Sequence, residues 1–297
     1  MRFTQARTTA EALEALAQGA RPIAGGTDIL VKARQTGGAL PDALVATDRI
    51  DALRHIELTT TEARIGAGVT HADLVAHPQI RARFTAISDA CALVGSPATR
   101  HTGTIGGNVM NGSPAMDTGA PLLALGARAN LVTIDSSRHV DLDALWTGPG
   151  ATSAAPDELL TDIVVSQPAE RSGSAYYRLE YRRAMEIAVV GAAAAVQLGT
   201  DGHIAHLRVA LAAVAPTILE VSGTDDLIGA TPSDAALAIA RLAAQQGAPI
   251  SDLRASARYR RHCVGVMAAR AVTSACTRAD GGVVPVPATQ HWATEQA

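Results

Sequence analysis

Apolar positions recur along this chain with two periods, and the changes of period mark out its elements. Thr8-Thr9-Ala10-Glu11 has the form of a capping box, with Thr8 at the N-cap and Glu11 three residues on. Leu13 and Leu16 then share one face of a helix that Gly19 ends. Residues 22–24 read as a short buried strand and Gly25-Gly26 as a turn, with Thr27 or Asp28 capping a helix to Arg34. Residues 43–46 read as the next strand. The unit is strand, glycine turn and helix, so a helix N-terminus faces whatever the turn holds.

Residues 64–69 form another strand pattern, followed by Thr70-His71-Ala72-Asp73, a second capping-box sequence. A helix is expected over 84–94, ending at Gly95 with Pro97 beyond, and a short apolar helix over 121–125. Residues 131–134 and 140–142 suggest a hairpin around Asp135-Ser136-Ser137-Arg138. Gly148, Pro149, Gly150 and Pro156 make 147–157 a candidate domain edge. Beyond it, 175–181, 188–198 and 204–214 read as strands, with Asp201-Gly202 as a hairpin turn. Helices over 233–245 and 253–275 follow. From Arg278 onward Gly, Pro and Thr predict a loosely held tail. No repeat of fixed period is present.

Composition narrows the function classes. Hydrophobic residues make up 47% and charged residues 18% of 297 residues, enough to bury a sizeable core. The net charge of −3 gives no electrostatic footprint for nucleic acid. Two basic clusters, Arg178/Arg182/Arg183 and Arg254/Arg258/Arg260/Arg261, read as solvated faces. Cys91, Cys263 and Cys276 are far apart, so a zinc or iron–sulfur site within this chain is not expected, and buried free thiols are. No signal-peptide pattern or membrane span is evident, which points to a cytoplasmic protein.

The candidate chemistry lies in two glycine-centred segments. One is Pro22-Ile23-Ala24-Gly25-Gly26-Thr27-Asp28-Ile29. The other is Thr104-Ile105-Gly106-Gly107-Asn108, continuing through Asn111, Ser113 and Pro114 to Asp117. Paired glycines beside small hydroxyl or amide side chains let the backbone approach a ligand and point N–H groups at an anion. Two such segments suggest a long phosphate-bearing ligand such as a dinucleotide. The chain lacks G-x-G-x-x-G and G-x-x-x-x-G-K-[ST], so the usual nicotinamide and nucleoside-triphosphate loops are absent. His101, Ser113 and Asp117 form no hydrolase triad by proximity alone, and there is no G-x-S-x-G elbow.

Ala24-Gly25-Gly26-Thr27-Asp28 resembles the A-G-G-T-D motif of the FAD-binding medium subunit of molybdenum hydroxylases. That family includes the flavin subunits of carbon monoxide, xanthine, nicotinate and aldehyde dehydrogenases. The resemblance continues at Val94-Gly95-Ser96-Pro97 and through Thr104-Ile105-Gly106-Gly107-Asn108, Ser113-Pro114 and Asp117. It extends to Tyr177-Arg178-Leu179, Arg182-Arg183 and Glu186-Ile187-Ala188, and so covers about residues 1–275.

The resemblance implies an α+β chain. A two-subdomain FAD-binding fold of the vanillyl-alcohol-oxidase type would precede a three-stranded antiparallel sheet with a helical bundle. The expected units are 1–55, 56–168, 169–276 and a tail over 277–297. By the same resemblance, backbone groups of Ile23, Ala24, Gly25, Gly26, Thr27, Asp28 and Ile29 cradle the FAD pyrophosphate. Thr104, Ile105, Gly106, Gly107, Asn108 and Asn111 would line the second side, and Gly95 would lie against the cofactor. Asp117 would accept from ribose hydroxyls, and Leu160 and Ile187 would pack on the flavin ring. Arg178 stands where the family usually has lysine. A cation there favours the reduced anionic flavin, although arginine changes the geometry, and an alternative for Arg178 is a surface ion pair with Glu180 or Glu186.

No catalytic residue and no metal ligand are expected on this chain. Molybdenum-pterin would sit on a large partner subunit and two [2Fe–2S] clusters on a small one, in an α2β2γ2 assembly. The FAD would deliver electrons to NAD, quinone or oxygen. Two other readings stay open at this point. One is a self-contained FAD-dependent oxidoreductase acting directly on a small molecule. The other is a scaffold that has lost its cofactor, against which the intact glycines and Asp117 argue.

Overall fold

Three hydrophobic clusters form in this chain because three groups of amphipathic elements each close on their own apolar face. The computed structural model describes residues 1–38, 40–182 and 184–290. The first group is a parallel sheet ordered Arg2–Gln5, Ala43–Ala46, Arg21–Ile23. The helix Thr9–Ala17 covers it with Leu13 and Leu16, and Thr8 caps that helix by accepting from Glu11 N at 3.2 Å. Arg21–Ile23 is an edge strand with Arg21 and Pro22 exposed, so the expected buried strand at 22–24 is a surface one.

The second group is a five-stranded antiparallel sheet ordered Ile56–Leu58, Glu62–Gly66, Leu159–Ser166, Arg128–Val132, Ser137–Asp141. Ile65 and Ile163 pair across its centre, and both are fully buried. Short helices, including Thr85–Leu93, Pro97–Thr102, Ile105–Asn111 and Gly119–Ala124, lie between its strands in sequence. The hairpin turn falls at 133–136, because the Thr133 hydroxyl accepts from the N–H groups of Asp135 and Ser136. The glycine- and proline-rich stretch 147–157 is not an edge between sheets. The chain turns there through a two-stranded ribbon and returns as Leu159–Ser166 to the middle of the same sheet.

The third group is an antiparallel sheet of Ser172–Leu179, Val190–Leu198 and Ile204–Ala212, joined by a two-residue strand Leu219–Glu220. Side chains alternate across its faces. Ala175, Tyr177, Ala192 and Ala194 face the helices Pro232–Gln246 and Ala257–Ala279, while Tyr176, Ala193 and Ala210 pack with the second group. Both faces are covered at short range, which accounts for the run of alanine. A methyl on Gly173 would overlap the carbonyl oxygen of Ala275 and stand 2.6 Å from Ala279 N, so the long helix lies directly on this strand.

The long helix starts at Ala257, later than the expected 253, because Ser256 caps it by accepting from Tyr259 N at 3.2 Å. Arg260 is not part of a solvated basic face. It is 3% exposed and donates to Val189 O, Ala213 O and, at 2.6 Å, Asp252. The expected loose tail is also held over its first part. Arg278 donates to Val284 O, Pro285 O and Asp89, and Ala288 N donates to Asp89 at 2.9 Å. Arg183 and residues 291–297 lie outside the described residues. All three cysteines are buried and free, and among the described residues no helix is long and apolar enough to cross a membrane.

Burial would raise the Asp252 carboxyl, but Arg260 and the N–H groups of Arg254 and Ala255 outweigh it and hold it at about 2. An unfolded Asp titrates near about 3.9. The depressed folded value contributes stability above that pH and loses it as pH falls toward 2. Asp252→Asn is expected to flatten the loss of urea midpoint between about pH 4 and pH 2 relative to wild type. Gly173→Ala is expected to lower stability by about 1–3 kcal/mol in the same urea titrations.

Candidate functional site

The first glycine segment leaves the edge strand at Ile23 and enters the helix Ile29–Thr36. Gly26 adopts φ +69°, which glycine supplies without strain. A methyl on Gly25 would overlap the carbonyl oxygen of Thr102 and stand 3.1 Å from Gly103 N. The turn therefore rests directly on the backbone of the second group. Asp28 occupies the N-cap position but its side chain makes no capping bond, so the expected cap by Thr27 or Asp28 is not made. Among the described residues, the N–H groups of Ala24 to Ile29 donate to no protein acceptor. A part-exposed row of backbone donors at the start of an eight-residue helix is suited to a phosphate.

The second segment is wired differently. Thr104 caps the helix Ile105–Asn111, its hydroxyl accepting from Gly107 N at 3.0 Å. Ile105 N donates to Val69 O and Gly106 N to Ala67 O, each at 3.0 Å. The reading of open donors at both glycine pairs thus holds at the first and fails at the second. The N–H groups of Ile105, Gly106 and Gly107 are used within the protein, and Ile105 is fully buried in the core. Gly106 is glycine because the helix crosses Ala67, whose carbonyl oxygen a methyl would approach to 2.6 Å. What remains accessible here is Gly107, Asn108 and Asn111. Asn108 accepts from the Thr118 hydroxyl at 2.5 Å, which fixes its amide orientation.

Gly95 has φ +51°, and its missing side chain leaves room for Thr99. A strap from the third group returns to this point. Met185, itself at φ +54°, donates its N–H to Gly95 O at 3.1 Å, and Thr99 donates to its sulfur at 3.7 Å. Ile187 follows on the strap and is half exposed. Leu160 is elsewhere: it packs in the second group's core at 4% exposure and offers almost no surface.

Asp117 and Arg178 form one buried cluster. Arg178 donates to Asp117 at 2.8 Å and to Glu180, and the Tyr176 hydroxyl donates to the other Asp117 oxygen at 2.9 Å. Both Asp117 oxygens thus already accept from protein. Arg178 makes no surface ion pair; its guanidinium is fully buried, and Glu186 pairs with Arg182 instead. Burial pushes the Asp117 carboxyl up, and the Arg178 charge and Tyr176 hydroxyl oppose that push. The Tyr176 hydroxyl is pushed well up by burial and by Asp117, so it remains a donor. Sequence reasoning missed Tyr176. The signal was present, because positions 176 and 178 share one face of the strand on which both lie.

The geometry is a row of backbone donors unused among the described residues, pressed by Gly25 against Thr102 and Gly103, just ahead of the segment that carries the accessible Asn108 and Asn111. The family described as "FAD binding domain in molybdopterin dehydrogenase" matches residues 1–168, and "CO dehydrogenase flavoprotein C-terminal domain" matches residues 175–275. The chain belongs to the FAD-binding subunits of the molybdopterin dehydrogenase family. It is 30% identical over 285 residues to the xanthine dehydrogenase FAD-binding subunit of Escherichia coli O157:H7, covering 94% of this chain and 97% of that one. It is 32% identical over 265 residues to the carbon monoxide dehydrogenase medium chain of Hydrogenophaga pseudoflava, covering 89% and 91%. A solved structure of carbon monoxide dehydrogenase from that organism superposes with a TM-score of 0.88 at 30% identity, covering 94% and 98%.

The FAD-binding subunit therefore has the expected α+β architecture, two FAD-domain lobes followed by a sheet with helices. Its role is that of an oxidoreductase flavoprotein. Among the described residues no group of three or more His, Cys, Asp or Glu is placed to hold a metal. Burial pushes the thiols of Cys91 and Cys276 up, the latter to about 11, so neither is a thiolate at neutral pH.

Asp117→Ala leaves the Arg178 guanidinium with Glu180 alone in a buried setting. The expected cost is about 3–5 kcal/mol in urea unfolding. Replacing Arg178 as well, with Met, is expected to recover part of that loss, which a double-mutant cycle measures.

Proposed function

We propose that this chain is the FAD-carrying electron-relay subunit of a multi-subunit molybdenum hydroxylase in the cytoplasm. The observation that carries the reading is the row of N–H groups from Ala24 to Ile29, unused among the described residues and held against Thr102 and Gly103 by the absence of a side chain on Gly25. Those groups suit the pyrophosphate. Gly107, Asn108 and Asn111 form the facing wall, while Gly95 and Ile187 flank the ring. Asp117 and Arg178 act as a fixed charge pair beneath the site, and Leu160 supports it through the core.

FAD, when bound, supplies a carrier that accepts and releases one or two electrons. The residues of this chain hold it, exclude water from its phosphates and set the charge around it. The metal centres are assigned to partner chains: two [2Fe–2S] clusters need about eight thiolates, and this chain has three cysteines. The partners are a large molybdenum-pterin subunit and a small iron–sulfur subunit in an α2β2γ2 assembly, with NAD, quinone or oxygen as acceptor. The relatives' own names, "FAD-binding subunit" and "medium chain", support a partnered role.

The test is an anaerobic titration of the purified chain loaded with FAD, with and without its co-expressed partner subunits, followed by flavin absorbance. The expected outcome is stoichiometric FAD binding, with reduction by candidate substrates only when the partners are present. Reduction of the isolated chain by a small substrate would replace this reading with a self-contained flavoenzyme. Gly25→Ala is expected to weaken FAD binding by about 100-fold, because it forces the two backbones apart; fluorescence titration of the apo chain measures this.

A further inference from the structure

His71 opens the helix His71–Ala76, and no role follows for it from the glycine motifs. Its backbone N–H donates to Gly103 O at 3.2 Å, which fixes it beside the point where the two glycine segments meet. The residue is 2% exposed, yet Nδ1 is buried with no partner among the described residues. Among the described residues no protein group bonds Nε2 either. Leaving a buried polar atom unpaired costs about 1–3 kcal/mol. A native fold retains such an imidazole for a reason that the protein atoms alone do not give.

Nδ1 itself is sealed off, which leaves Nε2, next to Cδ2, as the ring nitrogen able to meet a ligand. A methyl built on Gly103 would stand 3.4 Å from His71 Cδ2 and 3.5 Å from Thr27 Oγ1. The Cδ2 side of the imidazole and the hydroxyl of the first glycine turn therefore flank one narrow gap beside Gly103, at ordinary contact distance, with Thr99 O nearer at 3.1 Å. Next to that gap are the unused donors of Ala24 to Ile29. Burial, with the Arg100 charge adding to it, pushes His71 down to about 4. The ring is thus neutral, with one N–H to donate and one nitrogen to accept.

We propose that His71 is a binding residue of the cleft, its imidazole donating a ring N–H to an oxygen of the pyrophosphate of the bound dinucleotide. This rests on the reading of the cleft as the FAD site. It adds a neutral side-chain donor, from a segment outside both glycine motifs, to a cradle otherwise made of backbone. A neutral donor suits a position that already faces Arg100, because a second cation there would be repelled.

The experiment uses the full chain stripped of flavin and titrated separately with FAD and with ADP, which carries the pyrophosphate without the flavin. His71→Phe is expected to weaken both ligands by about tenfold. His71→Gln, which restores a side-chain donor, is expected to stay within about threefold of wild type. Unchanged binding of both ligands by a folded His71→Phe chain would overturn the proposal. So would a loss confined to FAD, which would place the contact on the flavin half. Where His71→Phe melts early, 15N-histidine labelling of the wild-type chain decides: a shift of the His71 ring nitrogens on adding ADP supports the contact, and no shift overturns it. Failure of the wild-type chain to take up either ligand would instead remove the FAD-site reading on which this one stands.

Discussion

The first two lobes of this protein meet backbone to backbone at Gly25, with no room for even a methyl group against Thr102. Everything proposed for the cleft depends on that approach. It holds the turn in a shape that leaves six consecutive N–H groups without partners among the described residues. A larger residue would shift the turn by more than a hydrogen bond tolerates. The same economy of side chains recurs at Gly106 on Ala67 and at Gly173 on the long helix, where a methyl group would again overlap a neighbour. The chain uses glycine here for proximity, and the left-handed backbone of Gly26 and Gly95 for direction.

Between the lobes, buried charges set alignment while apolar packing supplies most of the stability. The cluster of Tyr176, Asp117, Arg178 and Glu180 joins the third group's sheet to the segment that follows the second glycine motif. Its two carboxylates exceed its single guanidinium by one charge. Such clusters contribute little net stability over an apolar alternative but are costly to break, which makes them effective at fixing one arrangement of neighbouring lobes. Asp89 does the same work at 0% exposure, accepting from Arg278, Tyr176 N and Ala288 N.

The parts legible in the sequence are those decided by neighbours along the chain. The caps at Thr8 and Thr70, the Asp201-Gly202 turn and the two closing helices depend on residues within one or two turns of each other. The first glycine segment was legible as an open turn for the same reason. The segment around Gly106 has an equivalent pattern along the chain but not equivalent wiring, because Val69 and Ala67, nearly forty residues upstream, take its donors. Arg178 and Arg260 fall in basic clusters that read as solvated for a related reason: the carboxylate or carbonyls that let an arginine be buried lie far along the chain, 61 residues away for Arg178 and 71 and 47 for Arg260. His71 left no trace beyond its place in a capping box, since its significance is an absence of partners that only the folded chain shows.

The bonds to Asp89 impose an order on how the protein can be made. The carboxylate belongs to a helix formed early in the chain, yet one of its donors, Ala288, is 199 residues away and another, Arg278, is 189. While the ribosome is still adding the third group, that carboxylate has no cation to bury against, and the core around it has reason to stay hydrated. The buried carboxylate of the second lobe therefore has its full set of partners only once nearly the whole chain has emerged.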